Sequence, residues 1–202
     1  LNAAELPLPQ TADGEDADDY DMNGDGVFNI DDWAEDPRVD ITAGEDVADG
    51  MLDPSDLIAT FSDGVDDDGN GYTDDISGWD FFGRDNNAYH TYADGYGTHG
   101  DGVAETAAAE GDDEDNGDIG VCPNCMILPA RLGDTFVTDG GRAAEAMLFA
   151  ADSGAVSMSL AVGALTNPDT ATAAAKYAFE HGLTLVGAAG DENAYHHNFP
   201  AM

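Results

Sequence analysis

Basic side chains are nearly missing from this sequence. Five Lys and Arg stand against 43 Asp and Glu, the net charge is -38, and Lys176 is the sole lysine. Such a field repels nucleic-acid phosphates and anionic membrane surfaces and attracts cations, so DNA and RNA are excluded as partners. No run of about 18 apolar residues occurs, so no stretch reads as a membrane span. Cysteine is scarce as well. Cys122 and Cys125 form one Cys-x-x-Cys pair, two ligands short of a structural zinc site and outside the strand-to-helix context of a thioredoxin motif. A local disulfide in an exported protein is preferred over two free thiols. No signal-like segment opens the chain at Leu1 and nothing punctuates Met202, which suggests a piece of a longer protein.

What is present in quantity is aspartate. Asp outnumbers Glu 33 to 10, and Asp is a poor helix former but a good turn residue and calcium ligand. This favours metal loops over acidic helices. A generally acidic surface solvated in high salt is a second reading that does not exclude the first. With 202 residues and 42% hydrophobic content, the chain can build one ordinary core, alone or with a small appendage.

Residues 1 to about 20 are polar and acidic after Leu6-Pro7-Leu8-Pro9 and read as extended chain. Then Asp21, Asn23, Asp25, Gly26, Val27, Asn29 and Asp32 fall at positions 1, 3, 5, 6, 7, 9 and 12 of a calcium loop, with Val27 offering its carbonyl. Asp at position 12 shortens the last ligand, and no helical pattern precedes Asp21. The arrangement is similar to the loop-plus-one-helix form of dockerins. A second copy, Glu45, Asp49, Gly50, Met51, Asp53 and Asp56, has its glycine 24 residues after the first and runs into a helical DPSDLIATF segment, Asp53 to Phe61. Val47 at position 3 cannot coordinate, so this copy is a weak site or a relic packed against the first. A third turn, Asp66 to Asp75, offers Asp66, Asp68, Asn70, the Tyr72 carbonyl and Asp74 or Asp75. Calcium is expected at the first and third loops, against the plainer reading of solvated Asp/Gly turns. Residues 1–62 therefore read as an EF-hand-like calcium-loop segment and 63–202 as a second domain.

In the second part, Trp79 to Phe82 reads as a short aromatic strand, Met126 to Leu132 as a strand and Gly140 to Ser153 as a helix. Ala155 to Leu160 reads as a strand, Asp169 to His181 as a helix closed by Gly182, and Leu183 to Ala189 as a buried strand. Strands alternating with helices argue for an α/β fold whose parallel sheet is covered on both faces. Between them, GYGTHGDGVAETAAAE, Gly95 to Glu110, carries a glycine-rich loop into an alanine-rich helix with His99 at the junction. Imidazole titrates near neutrality, as a general base requires. An exposed histidine before a surface helix is the alternative.

The order DDDGNGYTDDISGWDFF, HGDGVAE from His99, GVCPNCMILPARLGD from Gly120, MSLAVG from Met158, GAAGDEN from Gly187 and Phe199-Pro200-Ala201 resembles the subtilases, the subtilisin-like serine proteases, over about residues 64 to 202. The resemblance implies a three-layer parallel sheet flanked by helices, a protein or peptide substrate, a monomer, and a secreted or cell-surface location. It makes His99 the catalytic histidine, with HGDGVAE standing for HGTHVAG. In a rival register Tyr96 replaces the base and the site is dead. Ser159, Leu160 and Ala161 would pair with substrate backbone and wall the specificity pocket. Asp191 stands where most members place an oxyanion-binding Asn, so it must be protonated to donate, or backbone N–H groups must serve instead. No Gly-Thr-Ser-Met-Ala segment and no strand ending in Asp-Ser-Gly or Asp-Thr-Gly occurs, so the triad Asp and Ser are expected outside this chain. The expected function is that of a fragment of a secreted subtilisin-like endopeptidase. The alternatives are an inactive subtilase-like module and, for residues 1 to 60, a dockerin-like partner-binding module.

Overall fold

A computed structural model describes residues 1–44, 50–89, 98–109, 119–135, 137–164, 166–190, 193 and 198–201. The chain divides into two compact units, Leu1–Tyr89 and His90–Met202. The expected boundary after residue 62 falls inside the first.

The first unit has little regular structure. Helix α1 (Pro54–Phe61) starts from Asp53, whose side chain accepts from Ser55 N while Asp56 reaches back to the Asp53 backbone, a capping box. A short 3-10 turn, Ile30–Trp33, carries the same box between Asn29 and Asp32. The expected helix after the first loop is thus reduced to one turn. Leu57 follows Asp56 as Trp33 follows Asp32, and both enter one apolar cluster with Leu6 and Ile76. Tyr20, Phe28 and Trp33 meet around it at ring-centroid distances of 5.6 to 6.2 Å.

The opening segment is not extended chain. Ala3–Glu5 form a 3-10 turn, Glu5 and Leu6 are buried, and Asn2 N donates to Ile76 O at 2.8 Å. Tyr20 Oη donates to the Ala3 and Leu6 carbonyls, each at 2.8 Å. Burying Leu6 and satisfying the backbone through Tyr20 outweigh the entropy that keeps polar segments loose. Strand β1 is only Trp79–Asp80, because Asp80 Oδ1 accepts from Phe82 N and Gly83 N and bends the chain after it.

Arg38 closes the loop between the first two repeats. Its guanidinium meets Asp36 at 2.6 Å, donates to Leu8 O at 2.7 Å and lies 5.0 Å from the Phe61 ring centroid. Burial works to raise the Asp36 carboxyl, but hydrogen bonds from Arg38 and from Gln10 N outweigh it and hold the group below the usual carboxylate range. A depressed folded-state value gives stability that is present above the unfolded value and is lost as pH falls through the folded one. Asp36→Asn should therefore cost about 1–3 kcal/mol at neutral pH, reduced by the partly exposed Arg38. The gap should shrink as urea unfolding is repeated from pH 5 downward, and a cost independent of pH would contradict the assignment.

In the second unit, α3 (Gly140–Asp152) is capped by Asp139, which accepts from Gly141 N and Arg142 N, and α4 (Asp169–Glu180) ends before Gly182, which has φ +88. The buried faces are alanine-rich, with Ala143, Ala146 and Ala150 on α3 and Ala171, Ala174 and Ala178 on α4. Small residues let these two helices pack closely together. Strands β3 (Ser157–Leu160) and β4 (Thr184–Gly187), joined through α4, pair in parallel with Ser157 opposite Thr184 and Leu160 opposite Gly187. This is an α/β arrangement.

Two strand expectations are corrected. The 126–132 strand, β2, is confined to Ala130–Arg131, with Met126 and Ile127 exposed; Pro129 has no N–H to give to a ladder. Strand β4 is not buried on both faces. Ser157, Ser159, Thr184 and Val186 are exposed while Leu160 is buried and Met158, Leu185 and Gly187 are half-buried, so among the described residues the pair is covered on one face only. The Ser-Met-Ser-Leu alternation carries this period of two.

Candidate active site and cation loops

Helix α2 (Thr98–Ala108) begins at the glycine-rich junction and holds His99 in its first turn. His99 is exposed, and its Nε2 lies 2.9 Å from the carbonyl oxygen of Ala161, just beyond the end of β3. A carbonyl oxygen only accepts, so the ring carries its proton on Nε2 in this arrangement. The structure thus brings the expected base to the expected substrate strand. Ser159 is exposed, Leu160 is buried and Ala161 is half-buried. Ala188 N donates to Leu160 O at 3.1 Å, and Asn198 Nδ2 donates to Ala188 O at 2.7 Å, which ties down the chain just after β4. Asp191 itself, like Tyr96, lies outside the described residues.

The first and third loops share a hydrogen-bond plan. Asp21 Oδ2 accepts from Gly26 N at 3.1 Å, as Asp66 Oδ2 accepts from Gly71 N at 2.9 Å. Asn23 Oδ1 takes Asp25 N and Asp25 Oδ1 takes Val27 N; Asp68 Oδ1 takes Asn70 N and Asn70 Oδ1 takes Tyr72 N. Gly26 and Gly71 sit at φ +84 and +93, a conformation few other residues adopt. Each turn folds its alternate side chains inward.

In the first loop, Asp32 is fully buried and accepts from Asn29 N at 3.0 Å and Asn23 N at 3.4 Å. Asp21 Oδ1 is buried with no hydrogen-bond partner. An orphaned carboxylate oxygen is costly unless a cation or water completes it, so the donor set of Asp21, Asn23, Asp25, Asn29 and Asp32 fits a hard, oxygen-seeking ion. In the second copy, Gly50, Met51, Asp53 and Asp56 are described, whereas Glu45, Val47 and Asp49 lie outside the described residues.

The third loop gains a residue that local spacing could not reveal. Glu5 Oε1 accepts from Asp67 N and Asp68 N, its Oε2 accepts from Asp74 N, and carboxylate oxygens of Glu5, Asp68 and Asp75 lie within 4.8 Å of one another. Asp74 instead turns to Asp63 N and Gly64 N at 2.8 and 2.9 Å. Burial pushes the Asp75 carboxyl up to about 6; hydrogen bonds from Asn2 and Asn70 oppose this, and Asp68 and Glu5 add repulsion. Glu5 is likewise raised, chiefly by burial. This acidic group could hold a metal ion. Cys122 and Cys125 are joined as a disulfide.

Among the described residues, no helix is long and apolar enough to cross a membrane. The Subtilase family model matches residues 34–202, starting earlier than the motifs and leaving the loop at 21–32 outside. The chain is 32% identical over 127 residues to thermitase of Thermoactinomyces vulgaris, covering 62% of this chain and 43% of that protein. It is 34% identical over 113 residues to fervidolysin of Fervidobacterium pennivorans, covering 52% and 16%, and 35% identical over 123 residues to the thermophilic serine proteinase of Bacillus sp. (strain AK1), covering 59% and 28%. The chain spans less than half the length of these relatives. No solved structure matches. With the family match running through the His99 helix, strand β3 and the segment after β4, the chain belongs to the subtilase family.

Proposed function

We propose that this chain is the histidine-bearing portion of a secreted, subtilisin-like serine endopeptidase that hydrolyses peptide bonds by acyl transfer. The observation that carries the reading is the approach of His99 Nε2 to Ala161 O at the end of β3, inside the family match. An aspartate and a serine from outside these 202 residues would complete the triad, the aspartate orienting His99 and the serine losing its proton to it. For that step Nε2 must leave Ala161 O and accept from the serine hydroxyl. The substrate chain would lie along Ser159, Leu160 and Ala161. The oxyanion would form near Asp191, with a protonated Asp191 as donor or with backbone N–H groups alone, the latter at a cost of roughly 10²–10³ in rate.

The loops are assigned to calcium. Asp21, Asn23, Asp25, the Val27 carbonyl, Asn29 and Asp32 would hold one ion, and Asp66, Asp68, Asn70, the Tyr72 carbonyl and Asp75 a second, supported by the orphaned Asp21 oxygen and the shared hydrogen-bond plan. Bound calcium supplies charge compensation that lets these carboxylates converge. The segment 1–62 is read as an EF-hand-like appendage and 63–202 as the partial peptidase domain, acting as a monomer.

The test uses a fluorophosphonate serine reagent on the longer parent protein and on this chain. Stoichiometric labelling of the parent and none of the 202 residues is expected. An unlabelled parent would make the chain part of an inactive binding module.

A further inference from the structure

We infer that the Cys122–Cys125 disulfide is a positioning element for His99, acting through the far end of helix α2. The clause about catalysis rests on the peptidase reading above; the structural linkage does not.

Helix α2 is poorly anchored by apolar contact. Val103, Ala104 and Ala108 are half-buried and the other residues from His99 to Ala108 are exposed. Gly100 and Gly102 each cost about 1 kcal/mol of helix propensity relative to alanine. What holds the last turn is polar. Its terminal carbonyls, which no helical N–H can reach, are met by three successive backbone donors of another segment: Val121 N to Thr106 O at 3.2 Å, Cys122 N to Ala107 O at 2.8 Å and Gly120 N to Ala109 O at 2.9 Å. The same segment is a tight turn in which Cys125 N donates to Cys122 O at 2.9 Å and the disulfide spans the same two residues. Hydrophobic packing does little to fix it, since Ile119 and Val121 are 64% and 89% exposed. Gly120 is required by contact, because a Cβ there would lie 2.7 Å from Ala108 N and closer still to Ala109 N.

His99 stands eight residues from Ala107, roughly 12 Å along the axis. A tilt of only about 5° at the cap therefore moves the imidazole by roughly 1 Å, a displacement that can cost on the order of 10²-fold in rate. Opening the bridge leaves the three donors on a turn with one fewer constraint.

The experiment compares amide hydrogen exchange in the 202-residue chain as it stands, after treatment with a water-soluble phosphine, as Gly120→Ala with the bridge intact, and as Val121→Ser. In the reduction the phosphine takes oxygen from water to become its oxide, the S–S bond breaks and each sulfur keeps one proton. Protection of the Gly120, Val121 and Cys122 amides and of the α2 amides from Val103 onward should fall by about tenfold or more in the reduced chain and in Gly120→Ala, with α3 amides and Val121→Ser unchanged. Equal exchange with the bridge open, or an equal loss across α3, overturns the linkage. In the parent, reduction should lower kcat at least about tenfold with KM nearly held and reoxidation should restore it. Unchanged kcat despite loosened α2 overturns the positioning role. A parent that is never acylated while α2 still loosens overturns the peptidase reading and leaves the cap standing.

Discussion

Stripped of divalent cations, the chain should melt far lower than in millimolar calcium, and molar KCl should recover only part of the difference. Glu5, Asp68 and Asp75 lie within 4.8 Å of one another at the third loop, and the proposed first site gathers Asp21, Asp25 and Asp32 on one short loop, so both set up repulsion that a bound cation offsets. Monovalent salt screens the general field of -38 but cannot fill a ligand shell. A ligand binding only the folded state at a hundredfold its Kd adds about 2.7 kcal/mol per site, on the order of 10 °C for a unit of this size. Asp25→Ala and Asp68→Ala should each remove part of the calcium-specific increment, and Glu5→Gln should act on the same part as Asp68→Ala. Full recovery by KCl would reduce the loops to acidic surface.

The pH dependence of this experiment has opposite signs with and without metal. In chelator, the Asp75 carboxyl, raised to about 6 from an ordinary 3.8, contributes stability that is fully present below the unfolded value and is lost as pH rises through about 6. With calcium, the ion competes with that proton, so affinity at the third loop weakens as pH falls through the same range. Asp75→Asn should abolish both trends, which separates this residue from the rest of the acidic surface.

The contrast between Asp68 and Glu5 explains what the sequence reveals and what it hides. The turns at 21–32 and 66–75 are legible because Asp and Asn side chains at alternate positions and glycines at positive φ are local requirements, written within a dozen residues. Helix ends are legible for the same reason: the helices read from Asp53, from Gly140 and up to Gly182 begin or end in the structure within a residue or two of those positions. Glu5 is illegible because its partners are more than 60 residues away, and the packing of Leu6 against Ile76 has the same character. Strand lengths fail for another reason. Apolar runs at 79–82 and 126–132 satisfy a strand pattern, but one side chain that bends the backbone, Asp80, and one residue that lacks a donor, Pro129, cut both to two residues. For β4, a short run such as Leu-Thr-Leu-Val cannot distinguish a strand covered on both faces from one covered on alternate residues.

His99→Ala in the parent protein should lower kcat by roughly 10⁴–10⁶ with little change in folding. The side chain is exposed, and the loss of its hydrogen bond to Ala161 O should cost about 1 kcal/mol of stability. Catalysis loses more because the imidazole acts twice, taking the serine proton in acylation and returning it to the leaving amine. Tyr96→Phe is the companion variant, since the rival register gives that position the base. Retained turnover in Tyr96→Phe with loss in His99→Ala fixes the register on the helix that begins at Thr98. A parent whose turnover survives His99→Ala would remove His99 from the chemistry. If the serine reagent still labels such a variant at the parental rate, the proton must go to some other group, and the Ala161 contact would then be only a tether between α2 and the end of β3.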